Sequence, residues 1–257
     1  MLIDTHAHLN AKEFDEDREE TIARARENGV STIINIGFNA ETIPTCIELA
    51  ERYEFIYAVV GWHPQDAKDM TDSHLEWIES LSKHPKVVGL GEMGLDYYWD
   101  TSPKDVQAEV FRKQIRLARK LQMPIVIHNR EASQDIIDIL REEKAAEVGG
   151  IMHCFSGSSE IAKMALEMNF YISFGGPLTF KNAKKPKEVA VQVPLDRLLI
   201  ETDCPYLTPH PFRGKRNESG YVRYVAEEMA QLHGLTFEEL AQITSDNARR
   251  LFQLPKE

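Results

Sequence analysis

The stretch Asp4-Thr5-His6-Ala7-His8-Leu9 closes the first apolar run of the chain. Five later runs close the same way: Gly61-Trp62-His63-Pro64, Gly91-Glu92-Met93-Gly94, Ile127-His128-Asn129, Met152-His153-Cys154 and Glu201-Thr202-Asp203-Cys204. Each run is short, rich in Val and Ile, and bounded by Gly, Pro or polar residues, which is how a strand reads. Working outward from them, strands are expected at 2–9, 30–37, 55–61, 87–91, 124–128, 150–155, 170–175 and 198–203. Helical patterns alternate with these at 14–28, 41–53, 73–83, 103–121, 133–147, 159–168, 183–191 and 220–232. Ser102-Pro103 is a start signal for the fourth. A trailing helix opens at Thr236, where Glu239 completes a capping box, and runs toward Leu251.

Eight strands alternating with eight helices predict an α/β protein, a (β/α)8 TIM barrel with a metal centre at the C-terminal ends of its strands. A doubly wound open sheet would need a glycine-rich turn after the first strand, and this first strand ends in His-Ala-His. At 257 residues, 42% of them apolar, the chain has the length and core of one barrel, so 1–257 is read as a single domain. It shows no linker, repeat or low-complexity tract.

Net charge is −11, which argues against coating nucleic acid through the general surface. It leaves room for an enzyme that grips a few phosphates locally. No apolar run approaches the roughly 20 residues of a membrane span, and the chain opens directly on a strand-like Leu2-Ile3-Asp4. A cytoplasmic protein is expected, with no membrane and no obligatory protein partner. The three cysteines are too few for a disulfide framework. Cys154 and Cys204 are read as small buried strand residues facing away from the neighbouring ligands.

His6 and His8 are two apart on a strand, so both project from one face. Glu92, His128, His153 and Asp203 each stand at the last inward position of an expected strand, and a barrel gathers such ends. Singly, a histidine there is usually hydrogen-bonded and an aspartate usually caps a helix. Jointly, four imidazoles and two carboxylates suit two divalent cations, Mg, Mn or Zn, if one carboxylate bridges. The expected division gives His6, His8, Glu92 and Asp203 to one ion and Glu92, His128 and His153 to the other. Asp203 is placed to accept a proton from water. His63, held extended by Pro64, aims at the same mouth as a substrate or transient-metal residue. His74, His84, His210 and His233 are read as surface residues. The non-periodic segment 205–219 carries Arg213, Lys215 and Arg216, candidates to hold phosphates. Ser156-Gly157-Ser158 precedes a helix and suits either an anion or a plain cap.

With these residues in hand, the chain resembles the TatD family of metal-dependent deoxyribonucleases, within the amidohydrolase-like superfamily. The resemblance spans essentially the whole chain through DTHAHL (4–9), GWHP (61–64), GEMGLDY (91–97), HNR (128–130), HCFSG (153–157), ETDCPYLTP (201–209) and RGKRNE (213–218). It implies hydrolysis of DNA, with RNA a further possibility, often from a 3′ end, and ligand roles for His6, His8, Glu92, His128, His153 and Asp203. Glu92 stands where much of the superfamily has a modified lysine. Where the family often reads Asn-Glu-Pro, this chain has Asn217-Glu218-Ser219-Gly220, expected to loosen the start of the next helix. The alternatives are an amidohydrolase, esterase or lactonase acting on a small molecule, a protein retaining metal for structure, and a phosphoesterase of the PHP type.

Overall fold

In the computed structural model, which describes residues 1–255, eight strands lie side by side in sequence order. They are β1 (Leu2–Ala7), β2 (Val30–Gly37), β3 (Ile56–Val60), β4 (Val87–Asp96), β5 (Ile125–Arg130), β6 (Gly150–Met152), β7 (Phe170–Phe174) and β8 (Leu198–Ile200). Every neighbouring pair is parallel. Between and after them run α1 (Arg18–Glu27), α2 (Thr42–Arg52), α3 (Asp72–Leu81), α4 (Lys104–Leu121), α5 (Ser133–Glu142), α6 (Ser159–Glu167), α7 (Lys184–Ala190), α8 (Val222–His233) and α9 (Phe237–Phe252). Alternation along each strand divides the core in two. Ile34, Val126, Ile151 and Leu199 fill the barrel, where Ala248 and Phe252 of α9 pack onto them. Ile33, Ile125, Ile127 and Met152 pack outward against the helices.

The strand ends differ from expectation where they matter most. The fourth strand is expected over 87–91, yet β4 continues to Asp96. Its ladder with β5 pairs Gly94 with His128 and Asp96 with Arg130. Gly94 has φ 145, and a Cβ there would lie 2.0 Å from the His128 carbonyl oxygen. It is therefore a close-approach glycine inside a strand. β8 ends early because Thr202 N–H donates to the Asp4 carboxylate instead of a strand neighbour. Ser102 does not cap α4; its hydroxyl donates to the Gln65 carbonyl and accepts from Lys68 N–H. The Thr236–Glu239 capping box is present. Cys154 and Cys204 lie just beyond β6 and β8, Cys154 with φ 42, so strand alternation does not govern where they point. No helix among the described residues is long and apolar enough to cross a membrane.

The barrel closes between β1 and β8 at the mouth. Asp203 N–H donates to His6 O (2.8 Å) and His8 N–H to Cys204 O (2.9 Å). Beneath them Asp4, fully buried, accepts from Thr202 N–H (2.9 Å), Thr202 Oγ1 (2.6 Å) and Ser219 Oγ (2.7 Å). Burial outweighs these donors and pushes its carboxyl up to about 7. Ser219, in the place of the family's proline, thus anchors the chain ahead of α8 rather than loosening it. Asp4→Ala strands these donors and His6 N–H, which also reaches the carboxylate at 3.3 Å, each costing about 1–3 kcal/mol when unpaired. At roughly 2–4 °C per kcal/mol for a chain of this size, the metal-free variant should melt on the order of 10 °C lower. An unchanged melting temperature would show that the seam does not depend on Asp4.

Candidate metal centre

Two buried glutamines on one face of α4, seven residues apart, set the loops that carry the site. Gln114 clamps the backbone of Trp62, accepting from its N–H (2.8 Å) and donating to its carbonyl (3.0 Å). Gln107 does the same for Asp96 at 2.9 and 3.0 Å. A primary amide matches a peptide group donor for acceptor, so each holds both the N–H and the carbonyl of one residue.

Above these clamps the other five expected residues converge around Glu92, only 3% exposed. Its Oε2 faces His6 Nε2 at 3.3 Å and His8 Nε2 at 3.8 Å. Asp203 Oδ1 completes that group, 3.2 Å from His8 Nε2 and 3.6 Å from His6 Nε2. The other oxygen, Oε1, faces His128 Nδ1 and His153 Nε2, both at 2.8 Å. His63 Nε2 stands 3.6 Å from that same oxygen. Its Nδ1 accepts from Gln65 N–H, which fixes the ring and turns Nε2 inward. His63 therefore joins the cluster itself rather than only its approaches.

The donor set fits cations. The Nε2 atoms of His6 and His8 face each other at 3.2 Å, so one proton at most lies between them, and carboxylate oxygens point at the same space. Burial drives the Glu92 carboxyl upward, but the charges of His153 and His6 and hydrogen bonds from His128 and His153 overcome this and hold it well below the usual range. Burial opposes charge on His8, His128 and His153, yet neighbouring carboxylates raise all three. Burial and a like-charged histidine neighbour lower His6 and His63. Protons on some rings thus balance the carboxylates, and a divalent cation competes for the same positions.

Three functional candidates escaped the sequence reading. Asp96 Oδ2 lies 3.0 Å from His128 Nε2 and its Oδ1 accepts the N–H groups of Tyr98 and Trp99. Glu201 Oε1 accepts Cys154 N–H (2.8 Å) and lies 3.2 Å from His153 Nδ1. These carboxylates orient the two rings from behind. Asp4 ties β8 to β1. All three sit inside the quoted motifs, beside residues that drew attention first.

The basic segment divides. Arg216 forks onto Asp17 at 2.7 and 2.6 Å and pulls that carboxyl down to about 2, so its guanidinium fastens the loop to the start of α1 rather than facing a ligand. Arg213 rests on Phe180 and Lys215 near Phe212; both are exposed, and neither has an ion pair among the described residues. Ser158 caps α6 through Ile161 N–H. A cavity of about 720 Å³ opens beside His8, between Asn10, Phe38, Asn39, Thr45 and Tyr206.

A parallel barrel whose mouth turns imidazoles and carboxylates onto one glutamate defines a metal-dependent hydrolase of the (β/α)8 class. A model of the TatD-related DNase family matches residues 3–253, and the chain belongs to the TatD family. It is 62% identical to an uncharacterized metal-dependent hydrolase of Bacillus subtilis (strain 168), YabD, over 99% of this chain and 100% of that one. It is 32% identical to a protein of Erwinia tasmaniensis named 3′-5′ ssDNA/RNA exonuclease TatD, over 98% and 100%. The crystal structure of the TatD homologue YjjV from Escherichia coli K12 superposes with a TM-score of 0.93 at 31% identity, covering 99% and 98% of the two chains.

Glu92→Gln should lower occupancy in both groups of donors, because each oxygen serves one of them. Asp96→Asn should weaken binding only on the His128 side, by roughly 10–100-fold. Metal analysis after equilibrium dialysis separates the two; an equal loss in both variants would contradict the division at Glu92.

Proposed function

We propose that the protein is a two-metal nuclease that hydrolyses phosphodiester bonds of DNA, or of RNA, working inward from a 3′ end. The observation that carries this reading is Glu92, with one oxygen turned to each of two groups of donors. His6, His8, Glu92 and Asp203 would hold one divalent cation, and Glu92, His128 and His153 the other, with His63 beside the second. Mg, Mn and Zn all suit mixed imidazole and carboxylate ligands. Cations held there supply a Lewis acid for phosphoryl oxygens and make water more acidic.

The chain's own residues do the rest. Asp203 is 13% exposed at its side chain, the openest carboxylate of the cluster, so it meets incoming water and accepts its proton. Burial raises the Asp203 carboxyl, but the His8 hydrogen bond and the charges of His6, His153 and His8 bring it down overall, which keeps it ionised and ready to accept. Asp96 and Glu201 hold the rings of His128 and His153 in one orientation. Arg213 and Lys215 hold phosphates away from the cleavage point, Arg by a fork and Lys as a point charge.

Exhaustive chelation should abolish hydrolysis of a 3′-labelled oligonucleotide, and added Mg, Mn or Zn should restore it; undiminished turnover without metal would end the metal mechanism. Asp203→Asn should reduce kcat by about 10²–10⁴-fold with metal content largely kept, and near-normal turnover would move the proton acceptor elsewhere.

The basic loop makes a second, separable test. Arg213→Ala and Lys215→Ala should each flatten the slope of log K against log salt by about 0.7 on single-stranded substrate. Arg216→Ala should leave that slope alone and lower the melting temperature instead. A flattened slope for Arg216→Ala only would reverse these roles. Hydrolysis confined to small esters or amides would favour the amidohydrolase reading.

A further inference from the structure

The β4–β5 ladder continues past the metal centre, and its tip is built unlike the rest of the rim. Val126 points into the barrel, so His128 and Arg130, two and four residues on, share that inward face. Arg130 pairs in register with Asp96, and its carbonyl accepts Tyr97 N–H at 2.9 Å. The next two residues are Tyr98 and Trp99, at 51% and 49% exposure among the most exposed large apolar side chains. Their rings meet edge to face at 4.9 Å. The Arg130 guanidinium lies 4.0 Å from the centre of the Tyr98 ring and 5.8 Å from that of Trp99.

Two features separate this cluster from an ordinary surface patch. Arg130 is exposed and, like Arg213, has neither an ion pair nor a hydrogen bond from its guanidinium among the described residues, in a protein of net charge −11 where Arg18, Arg24, Arg112, Arg116, Arg119 and Arg216 are paired. The aromatic pair is fixed to the site as well. Tyr98 and Trp99 donate their N–H groups to Asp96 Oδ1 at 3.0 and 3.1 Å, and the other oxygen of that carboxylate holds His128. One carboxylate therefore sets both the ring that faces Glu92 and the backbone that presents the aromatics.

We propose that Tyr98, Trp99 and Arg130 form a stacking platform for an unpaired base of single-stranded nucleic acid, adjoining the phosphate presented to the metal centre. The proposal rests on the nuclease reading and adds to it a subsite. A flat aromatic face with an unpaired guanidinium matches a base together with its phosphate: ring stacking is indifferent to base identity, and the cation meets the backbone. A paired base has its faces covered by its neighbours, so the platform favours unpaired ends. Because Asp96 carries both parts, a stacked base is held at a fixed distance from the cleavage point.

The test uses the metal-loaded full chain, 3′-labelled single-stranded oligonucleotides, and the same oligonucleotides with one abasic position walked along the last few nucleotides. Wild type should lose kcat/KM by about 5–150-fold at one abasic position, the range of one lost stacking contact. Tyr98→Ala/Trp99→Ala should show a similar loss on the intact strand and no further loss at that position. Metal-free protein supplies a readout apart from turnover: binding of the single strand should quench Trp99 fluorescence, and Trp99→Phe should remove that quenching while keeping most of the affinity. Normal kcat/KM in the double variant, or equal sensitivity to the abasic position with and without the rings, overturns the platform alone. Wild type inactive on every oligonucleotide overturns the nuclease reading and the platform with it. A loss of self-association in the double variant, seen by sedimentation with cleavage unchanged, would make the patch a contact between copies and overturn the proposal.

Discussion

A buried carboxylate that faces imidazole nitrogen from both of its oxygens is the constraint on which the mouth of this barrel depends. Glu92 is withdrawn from water, and an isolated carboxylate there would be far too costly to keep ionised. Histidines from β1 and β5, and others just beyond β3 and β6, surround it, so the charge is balanced only when all these elements close to a common point. The parallel order of the strands brings them there. The same convergence makes the site a competitor for cations, since whatever neutralises Glu92 from one side leaves the other oxygen still to be satisfied.

The supporting structure works to keep that point fixed. Gln107 pins the end of β4 and Gln114 the chain beyond β3, Asp96 and Glu201 hold two of the rings, and Asp4 joins the first and last strands. Arg216 and Arg24 reach from opposite ends of the chain onto Asp17 and Glu218, fastening the long loop after β8. Arg130, Arg213 and Lys215 are among the cations near the rim that have no ion pair among the described residues. In an acidic protein this concentrates attraction for phosphate at a few places, which suits the hold on a strand end proposed above rather than the coating of a duplex.

Much of this was legible in the sequence because it depends on period and position. The alternation of strands and helices located the barrel, with Val30–Gly37 matching residue for residue. The strand endings marked the residues that surround Glu92. The misreadings share a cause: a side chain's partner lies far along the chain. The fourth strand read as ending at Gly91 because nothing local shows that the β5 backbone presses against Gly91 and Gly94. Arg216 read as a ligand for phosphate because Asp17 is 199 residues away. Gln107 and Gln114 read as ordinary helix residues, although the peptide groups they clamp are what hold two of the site's loops.

The most direct test of the account concerns whether Glu92 joins two cations. The metal-free protein should be loaded with manganese(II) to saturation and its electron paramagnetic resonance spectrum recorded at low temperature. A carboxylate-bridged pair predicts a spectrum dominated by magnetic coupling between two neighbouring ions, collapsing to isolated ions in Glu92→Gln. An uncoupled six-line spectrum from the saturated wild-type protein would contradict the bridging role of Glu92.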